Sequence, residues 1–220
     1  MKANKQPAPG LEEEMALSAQ GYSFIAGLDE AGRGCLAGPV VAAAVILPLD
    51  DENPATRFAG VRDSKQMTAL ARERLYEVIM QHALAVGVGI GSVELIDERN
   101  ILQATKHAMY SALAQLTIPP QALLIDALLL PHLPLPQRSI IKGDARCLSI
   151  AAASVIAKVT RDRLMLQLHQ QFPLYGFEQH KGYGTLAHLA ALQEHGPTPL
   201  HRKSFAPVRE LLYGPFATKS

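Results

Sequence analysis

The chain has 220 residues, of which 48% are hydrophobic and 19% are charged, and its 21 Lys and Arg nearly balance its 20 Asp and Glu. This composition indicates one globular domain that can fold without a disulfide or a structural metal. Two cysteines are too few for a disulfide scaffold or a structural zinc site, and they favour a reducing, cytoplasmic compartment. Because we find neither an apolar run of membrane-spanning length nor a signal-peptide core, we expect neither an integral membrane protein nor a secreted one.

The first part of the chain is predicted to be an arm followed by a β-rich segment. Residues 1–20 show no apolar period and predict a flexible arm ahead of a domain over residues 21–213. Apolar, β-branched runs predict strands over residues 22–28 and 40–47, and the short glycine-rich connection between them indicates an antiparallel pair. A third strand is predicted over residues 83–91.

Helices and strands alternate in the rest of the chain. A continuously apolar segment at residues 122–125, which runs into Asp126, predicts a buried strand, and a last strand is predicted at residues 139–141. Apolar spacing and alanine-rich composition predict helices around residues 70–79, 101–116 and 147–171, and after Thr185, a candidate N-cap. The sequence therefore predicts an α/β fold with a mixed sheet and helices on its faces.

Carboxylates stand at the ends of the predicted strands. Asp29 and Glu30 end the first strand, Asp126 ends the buried strand, and Asp144 precedes the long helix. A carboxylate in such a place is costly to desolvate without a positive charge, and carboxylate oxygens suit Mg²⁺ or Mn²⁺, so four of them could hold two such ions. Each acid taken singly could instead form a turn or cap a helix. That alternative is weakest for the adjacent Asp29 and Glu30, whose like charges repel without a cation.

A glycine-rich segment follows the first acidic pair. Residues 32–37 satisfy the G-x-G-x-x-A pattern of dinucleotide-binding turns, which requires a helix to open at Gly34. Pro39 and a strand signal follow instead, which disfavours a nucleotide-dependent oxidoreductase. Two interpretations remain: a turn between strands, or a loop whose exposed amides contact a hydroxyl group of a ligand.

Basic residues are concentrated in the C-terminal part of the chain. Residues 138–209 contain ten Lys and Arg against four Asp and Glu, a formal charge of +6, which leaves −5 for the remainder. Tyr175 and Tyr183 lie among them, as a phosphate-binding groove with a stacking platform would require. The alternative is a solvated, charged helix face. The basic residues in question are Lys142, Arg146, Lys158, Arg161, Lys181, Arg202 and Lys203.

Two smaller features have structural interpretations. Residues 63–65 could cap the helix that follows, and Lys65 could separately reach a phosphate. Ser154 lacks the G-x-S-x-G context of a serine nucleophile and is interpreted as a residue that allows close helix packing.

Taken in order, these motifs resemble those of the bacterial ribonuclease HII family. The resemblance begins with GLDEAGRG at residues 27–34 and continues with AGPVV at residues 37–41. It then runs through residues 63–65, 126, 142–144, 149–163, 175–177, 180–185 and 201–208. Nearly everything from about residue 22 to residue 208 is covered. The resemblance implies a ribonuclease H-like fold, a five-stranded mixed sheet flanked by helices.

The resemblance also implies a reaction. The family hydrolyses the RNA strand of RNA–DNA hybrids and nicks duplex DNA on the 5′ side of a single ribonucleotide, leaving 3′-hydroxyl and 5′-phosphate ends. Its catalytic, metal-binding acids correspond to Asp29, Glu30, Asp126 and Asp144, with Asp29 expected to bridge two divalent cations, Mn²⁺ or Mg²⁺. The expected partners are RNA–DNA hybrid and ribonucleotide-containing duplex DNA, with no membrane, and a monomeric catalytic domain. The alternative is a non-catalytic hybrid-binding protein on the same fold.

Substrate-binding residues follow from the same resemblance. The family's loop that reads the 2′-hydroxyl through main-chain groups corresponds to Gly32, Arg33 and Gly34. Its sugar-stacking tyrosine corresponds to Tyr183, with Tyr175 as the other candidate. Phosphate contacts are expected from Lys65, Arg33, Lys142 and Lys181.

Overall fold

A five-stranded mixed sheet forms the centre of the molecule, in a computed structural model that describes residues 8–50 and 54–214. The strands are β1 (Ile25–Ala31), β2 (Val40–Ile46), β3 (Ala85–Gly91), β4 (Ala122–Asp126) and β5 (Gln137–Ile140). Their order across the sheet is β3-β2-β1-β4-β5. β2 is antiparallel to β1 and β3, whereas β4 is parallel to β1 and β5. The predicted fold class is confirmed.

Helices cover both faces of this sheet. The described residues form α1 (Glu12–Ser18), α2 (Pro54–Arg57), α3 (Ala69–His82), α4 (Val93–Arg99), α5 (Ile101–Ala114), α6 (Leu148–Gln171), α7 (Phe177–His180), α8 (Leu186–His195) and α9 (Ala206–Tyr213). Ala43 and Val45 of β2 pack with α6, while Ala42 and Ala44, which point the other way, pack with α5. In the described part of the chain, no helix is long and apolar enough to span a membrane.

Small residues allow α6 to approach β1 very closely. A Cβ atom at Gly27 would lie 2.2 Å from the backbone carbonyl carbon of Ser149, so only glycine fits there. Asp29 lies two residues farther along β1 on the same side of the strand. The close approach therefore places the first acidic residue directly under α6.

The predicted flexible arm over residues 1–20 is wrong for the part that is helical. Residues 12–18 form α1, because Leu17 packs into an apolar cluster with Ile25 and Ile150, and Glu14 is buried against Ser149. Residues 1–7 lie outside the described residues. A tertiary contact of this kind leaves no periodic signal in so short a segment.

Several boundaries differ from the sequence-based predictions. β1 begins at Ile25 and continues to Ala31, so Asp29 and Glu30 lie within the strand rather than at its end. The helices α4 and α9 were not predicted, whereas the cap is confirmed at Thr185, whose side chain accepts a hydrogen bond from the His188 N–H. Because β2 follows the glycine-rich loop without an intervening helix, the dinucleotide-binding interpretation is excluded.

Candidate active site

Two carboxylates meet where β1 and β4 run side by side. These parallel strands pair Leu28 with Ile125, so Asp29 and Asp126 are the next residues along each strand. Neighbours in register in parallel strands point to the same face. The sheet therefore brings together two acids that are 97 positions apart in the sequence.

Asp144 reaches the same place from the loop after β5. It lies in a 3₁₀ turn, Gly143–Ala145, that leads into α6. The Gly143 N–H donates a hydrogen bond of 2.8 Å to Asp126 Oδ1, which attaches this turn to the end of β4. Asp63 lies close enough to Asp144 to raise its pKa.

The electrostatics of this acidic centre, Asp29, Glu30, Asp126 and Asp144, disfavour full ionisation. Burial, reinforced by the charges of Glu30 and Asp126, raises the pKa of Asp29 well above its ordinary value. Burial also raises the pKa of Asp144, to about 6, with Asp63 and Asp126 adding to the effect. Like charges held together in this way require a cation to ionise fully.

Glu30 is only partly neutralised by its neighbours. Burial raises its pKa, and Arg33 opposes that rise through an ion pair of 3.1 Å between Arg33 Nη1 and Glu30 Oε1. The other oxygen, Oε2, is buried and has no hydrogen-bond partner among the described residues. An unpaired buried carboxylate oxygen costs free energy, so it marks a position for a ligand.

The donor set fits divalent cations of the Mg²⁺ type. Within residues 8–50 and 54–214, no three His, Cys, Asp or Glu side chains form a ready-made metal-binding group. Mg²⁺ typically takes only one or two carboxylates and completes its shell with water and substrate phosphates. A partly hydrated ion of this kind would stabilise the charged form of carboxylates whose pKa values are raised. It would also give the buried Glu30 Oε2 a partner.

Residues 63–65 border the acidic centre. Asp63 accepts a hydrogen bond from the Lys65 N–H and caps a short 3₁₀ helix, as predicted. Burial disfavours the charged ammonium of Lys65, but nearby carboxylates, Asp29 foremost, outweigh that effect and raise its pKa. Lys65 is exposed to solvent, so its charge stands at the entrance of the centre.

The loop over residues 32–39 is fixed from beneath by Arg202. Its guanidinium is fully buried and donates to the carbonyl oxygens of Gly32 (2.7 Å), Arg33 (2.8 Å) and Gly38 (2.8 and 2.9 Å). Gly32 has φ +96°, a conformation that favours glycine. With the carbonyls held inward, the face of Arg33 and Gly34 is exposed.

A second buried arginine joins this loop to the segment that contains Tyr183. Arg161 of α6 donates to the carbonyl oxygens of Pro39 (2.9 Å), Ala37 (3.0 Å) and Lys181 (2.8 Å). Assigning Arg161 and Arg202 to a solvent-facing phosphate groove was therefore wrong, because both are 0% exposed. They shape the substrate loop from inside.

The two candidate tyrosines have different environments. The hydroxyl of Tyr175 is 2.5 Å from the Gly196 carbonyl oxygen to which it donates, and its side chain is 6% exposed. Tyr183 is 40% exposed, it lies beside the Cys35 side chain, and Lys158 Nζ lies 5.6 Å from its ring centroid. Of the two, only Tyr183 presents a ring to the surface.

The two remaining predicted phosphate-binding residues, Lys142 and Lys181, lie in different segments of the chain. Lys142 is exposed in a left-handed conformation at the start of the Asp144 turn. The ammonium of Lys181 donates to the Glu178 carbonyl oxygen, beside Tyr183.

Three residues of the acidic centre's surroundings and the adjoining loop escaped sequence reasoning. Asp63 was interpreted only as a cap, and Ser154 only as a packing residue, yet Ser154 lies beside Asp29, whose pKa it lowers, and its Oγ donates to Ser64 Oγ (2.9 Å). Cys35 was given no role. The burial of Arg161 could have been predicted from helix periodicity, because residues 154, 157 and 165 occupy the same face of α6 and are all buried.

Known proteins share these features. A sequence model of the family described as Ribonuclease HII matches residues 26–208. The Ribonuclease HII of Bacillus cereus (strain Q1) is 56% identical over 199 residues, which is 90% of this chain and 75% of that protein. Ribonuclease H2 from Pyrococcus horikoshii OT3 has a TM-score of 0.69 and 31% identity, covering 86% of this chain and 96% of that one. RNase HII from Archaeoglobus fulgidus, solved with PCNA, has a TM-score of 0.69 and 28% identity, covering 83% and 95%.

The match spans the strands, the acidic centre and the loop beside it. With more than half of the chain matched by the family model and over half of its residues identical to a relative, the assignment needs no further inference. The chain belongs to the ribonuclease HII family and is a ribonuclease H, a metal-dependent endonuclease that acts on RNA–DNA hybrids.

Proposed function

We propose that this ribonuclease H also nicks duplex DNA on the 5′ side of a single embedded ribonucleotide, by two-metal-ion hydrolysis. One observation carries the proposal: the exposed face of the glycine loop adjoins the acidic centre. Gly32 is two residues beyond Glu30, and Arg33 is ion-paired with Glu30. A loop that recognises one sugar is thus fixed beside the groups that would cleave the adjacent phosphodiester.

Recognition of one ribonucleotide must depend on its 2′-hydroxyl, the only group that distinguishes it from a deoxynucleotide in this setting. A Cβ atom at Gly34 would meet nothing within 4 Å, so the space above the loop is open to a sugar. A Cβ atom at Gly32 would overlap Arg161, whose Nε lies 2.0 Å from that position. The main-chain groups of Gly32, Arg33 and Gly34 are therefore the surface that we assign to the 2′-hydroxyl.

The acidic side chains and Lys65 have different proposed roles in hydrolysis. Asp29, Glu30, Asp126 and Asp144 would hold the divalent cations, Mg²⁺ or Mn²⁺. When bound, such ions activate water and stabilise the leaving 3′-oxygen. The Lys65 ammonium would bind a non-bridging phosphate oxygen and keep the scissile group in place.

Tyr183 supplies a stacking surface next to the loop. Its exposed ring lies beside Cys35, a residue of the loop over residues 32–39. Stacking of the adjacent sugar would position the ribonucleotide relative to Gly34. We assign this activity to a monomeric domain that includes α1 and acts in DNA repair in the cytoplasm, a compartment consistent with two free, buried cysteines.

Cleavage of a labelled DNA duplex with one internal ribonucleotide tests the proposal directly. We expect a single cut 5′ of the ribonucleotide with Mg²⁺ or Mn²⁺, none with EDTA, and none in an all-DNA duplex. The products should carry 3′-hydroxyl and 5′-phosphate ends. Cleavage of a continuous RNA–DNA hybrid without cleavage of this duplex would contradict the single-ribonucleotide activity.

Calorimetry addresses the number of metal ions. With a duplex whose scissile linkage resists hydrolysis, we expect two Mn²⁺ per protein, and one per protein would contradict the two-metal mechanism. A protein that binds the hybrid tightly but cuts nothing with either metal would instead be the non-catalytic hybrid-binding alternative.

A further inference from the structure

The N-terminal segment crosses the root of α6. Residues 10–17, called the strap below, comprise a short extended piece and most of α1. Gly10 forms a parallel bridge with Cys147: its N–H donates to the Arg146 carbonyl oxygen (3.0 Å), and its carbonyl oxygen accepts from the Leu148 N–H (2.8 Å). The strap is thus hydrogen-bonded to the chain between Asp144 and the first turn of α6.

Glu14 provides the cap that α6 lacks. The N-cap residue of α6, Cys147, makes no side-chain capping hydrogen bond. Glu14 Oε1 accepts from the Ser149 N–H (2.9 Å) and from Ser149 Oγ (2.7 Å), although the two residues are 135 positions apart. Together with Gly10, Glu14 satisfies two N–H groups of the first helical turn, which would otherwise have no partner.

Charge and apolar contacts fix the strap on both sides of this cap. Glu13 pairs with Arg138 at the end of the sheet (2.9 Å) and with Arg146 in the Asp144 loop (3.6 Å). Leu17 is 3% exposed and packs with Cys147 and other apolar residues. The strap therefore holds β5, the Asp144 loop and α6 in one arrangement.

We infer that the strap is a positioning device for the acidic centre and that Glu14 is its central positioning residue. Asp144 is three residues before Cys147, and the Cys147 N–H donates to the Gly143 carbonyl oxygen (2.8 Å). Movement of Cys147 and Ser149 would therefore move the turn that carries Asp144. The inference rests on the proposed role of Asp144 in metal binding.

Mn²⁺ affinity without substrate tests this role, measured on the full chain by calorimetry and by electron paramagnetic resonance of free Mn²⁺. We expect Glu14→Ala to weaken Mn²⁺ binding about tenfold, the lower range for residues that orient metal ligands. The control is Glu210→Ala, which removes an exposed carboxylate from α9, outside the strap, and should bind Mn²⁺ like the unmodified chain. Glu14→Gln keeps an oxygen acceptor for Ser149 and should remain within about twofold of the unmodified chain.

A purely stabilising role gives a different result. In that case Glu14→Ala would lower the unfolding temperature but bind Mn²⁺ normally at a temperature where it is folded, and the inference would be overturned. If Glu14→Ala does not fold, the second variant is Ser149→Ala, which removes one of the two hydrogen bonds to Glu14. Unchanged Mn²⁺ affinity in Ser149→Ala would overturn the inference, and a loss of twofold or more would support it.

Asp144→Asn separates this inference from the proposed function. If Asp144→Asn loses Mn²⁺ affinity and Glu14→Ala does not, the strap inference fails while the proposed metal site stands. If Asp144→Asn binds Mn²⁺ normally, the metal-binding role of Asp144 fails, and the inference fails with it.

Discussion

The acidic centre and the arginine-held loop lie side by side and are stabilised in opposite ways. In the acidic centre, burial and mutual repulsion raise the pKa values of Asp29, Glu30 and Asp144. In the loop over residues 32–39, the positive charge of Arg202 is buried and surrounded by carbonyl oxygens. The first region needs a cation from outside the chain, whereas the second is complete without a ligand.

This difference suggests a division of labour. A centre that repels itself binds metal ions because doing so relieves an unfavourable arrangement, and the substrate phosphate can share those ions. Under the proposed role, the loop distinguishes one hydroxyl group and cannot depend on a ligand for its shape, because its amides have to be in place beforehand. Buried hydrogen bonds from Arg161 and Arg202 provide that rigidity.

The largest effect is expected from Asp126→Asn. Asparagine keeps an oxygen that can accept from the Gly143 N–H, so the turn with Asp144 should stay in place while one carboxylate charge is lost. Cleavage of the single-ribonucleotide duplex with Mg²⁺ should fall by more than the roughly 100-fold that loss of an outer-sphere partner costs. Gel assays under single-turnover conditions measure this loss.

The acidic centre should also gain stability when its repulsion is reduced. In EDTA, Asp126→Asn should unfold at a higher temperature than the unmodified chain, because Asp29 and Asp144 lose a charged neighbour. Full activity in this variant would remove Asp126 from the mechanism, and a lower unfolding temperature would contradict the self-repulsion of the centre.

Arg202→Gln should have the next largest effect, and of a different kind. Three carbonyl oxygens would lose a charged donor in a buried place, so the free energy of unfolding should fall by about 3 kcal/mol. Cleavage at a lone ribonucleotide should weaken as the loop loses its shape, while Mn²⁺ affinity without substrate stays unchanged. Denaturant unfolding and Mn²⁺ calorimetry measure the two quantities.

A matched control is Arg209→Gln, which removes an exposed arginine from α9. It should change the free energy of unfolding by less than about 0.5 kcal/mol. If Arg202→Gln lost Mn²⁺ affinity as well, the two regions would not be separable in the way that the hydrogen bonds indicate.

Local patterns predicted the framework of both regions but not their contacts. The alanine-rich run gave α6 within one residue of its observed start, and the apolar run before Asp126 gave β4. That Asp29 and Asp126 lie close together could be predicted, because each follows the apolar part of a strand and the two strands are paired. The contacts of Glu14 with Ser149 and of Arg202 with Gly32 join residues more than 130 positions apart and leave no periodic signal.

A fall in pH should change the stability that the two regions contribute in opposite directions. Beneath the loop, His201 Nε2 lies 3.0 Å from His188 Nε2, and both side chains are fully buried. Burial, aided by the charge of His188, lowers the pKa of His201 to about 4. Between pH 6.5 and 4 the unfolded chain therefore binds a proton at His201 that the folded chain does not, and stability from this group falls as the pH falls.

For the acidic centre the sign is reversed. The pKa of Asp144 is raised to about 6, so the folded, metal-free chain binds a proton there that the unfolded chain lacks, and stability from this group rises as the pH falls. The contribution of His201 is measured as the difference in the free energy of unfolding between the unmodified chain and His201→Gln. This difference should shrink by about 3 kcal/mol from pH 6.5 to 4, since one pKa unit is about 1.4 kcal/mol. His107→Gln, which replaces an exposed histidine of α5, is the control for the substitution itself.

The smallest effect is expected where the loop meets the surface, at Tyr183. Its side chain is 40% exposed, and its carbonyl oxygen lies 2.9 Å from His188 Nδ1. Loss of the ring in Tyr183→Ala should weaken cleavage at a lone ribonucleotide about tenfold, since one stacking contact is worth about 1–3 kcal/mol. Tyr183→Phe keeps the ring and should retain most of the rate.

Tyr175→Phe provides the structural counterpart. It loses the buried hydrogen bond to Gly196 and should lower the free energy of unfolding by about 1 kcal/mol, without changing the ratio of rates on the single-ribonucleotide duplex and on the hybrid. Tyr183→Ala should change that ratio, because a continuous hybrid offers many other contacts and a lone ribonucleotide offers one. If the ratio instead changed in Tyr175→Phe and stayed constant in Tyr183→Ala, recognition would depend on the buried core beneath the loop rather than on the exposed ring.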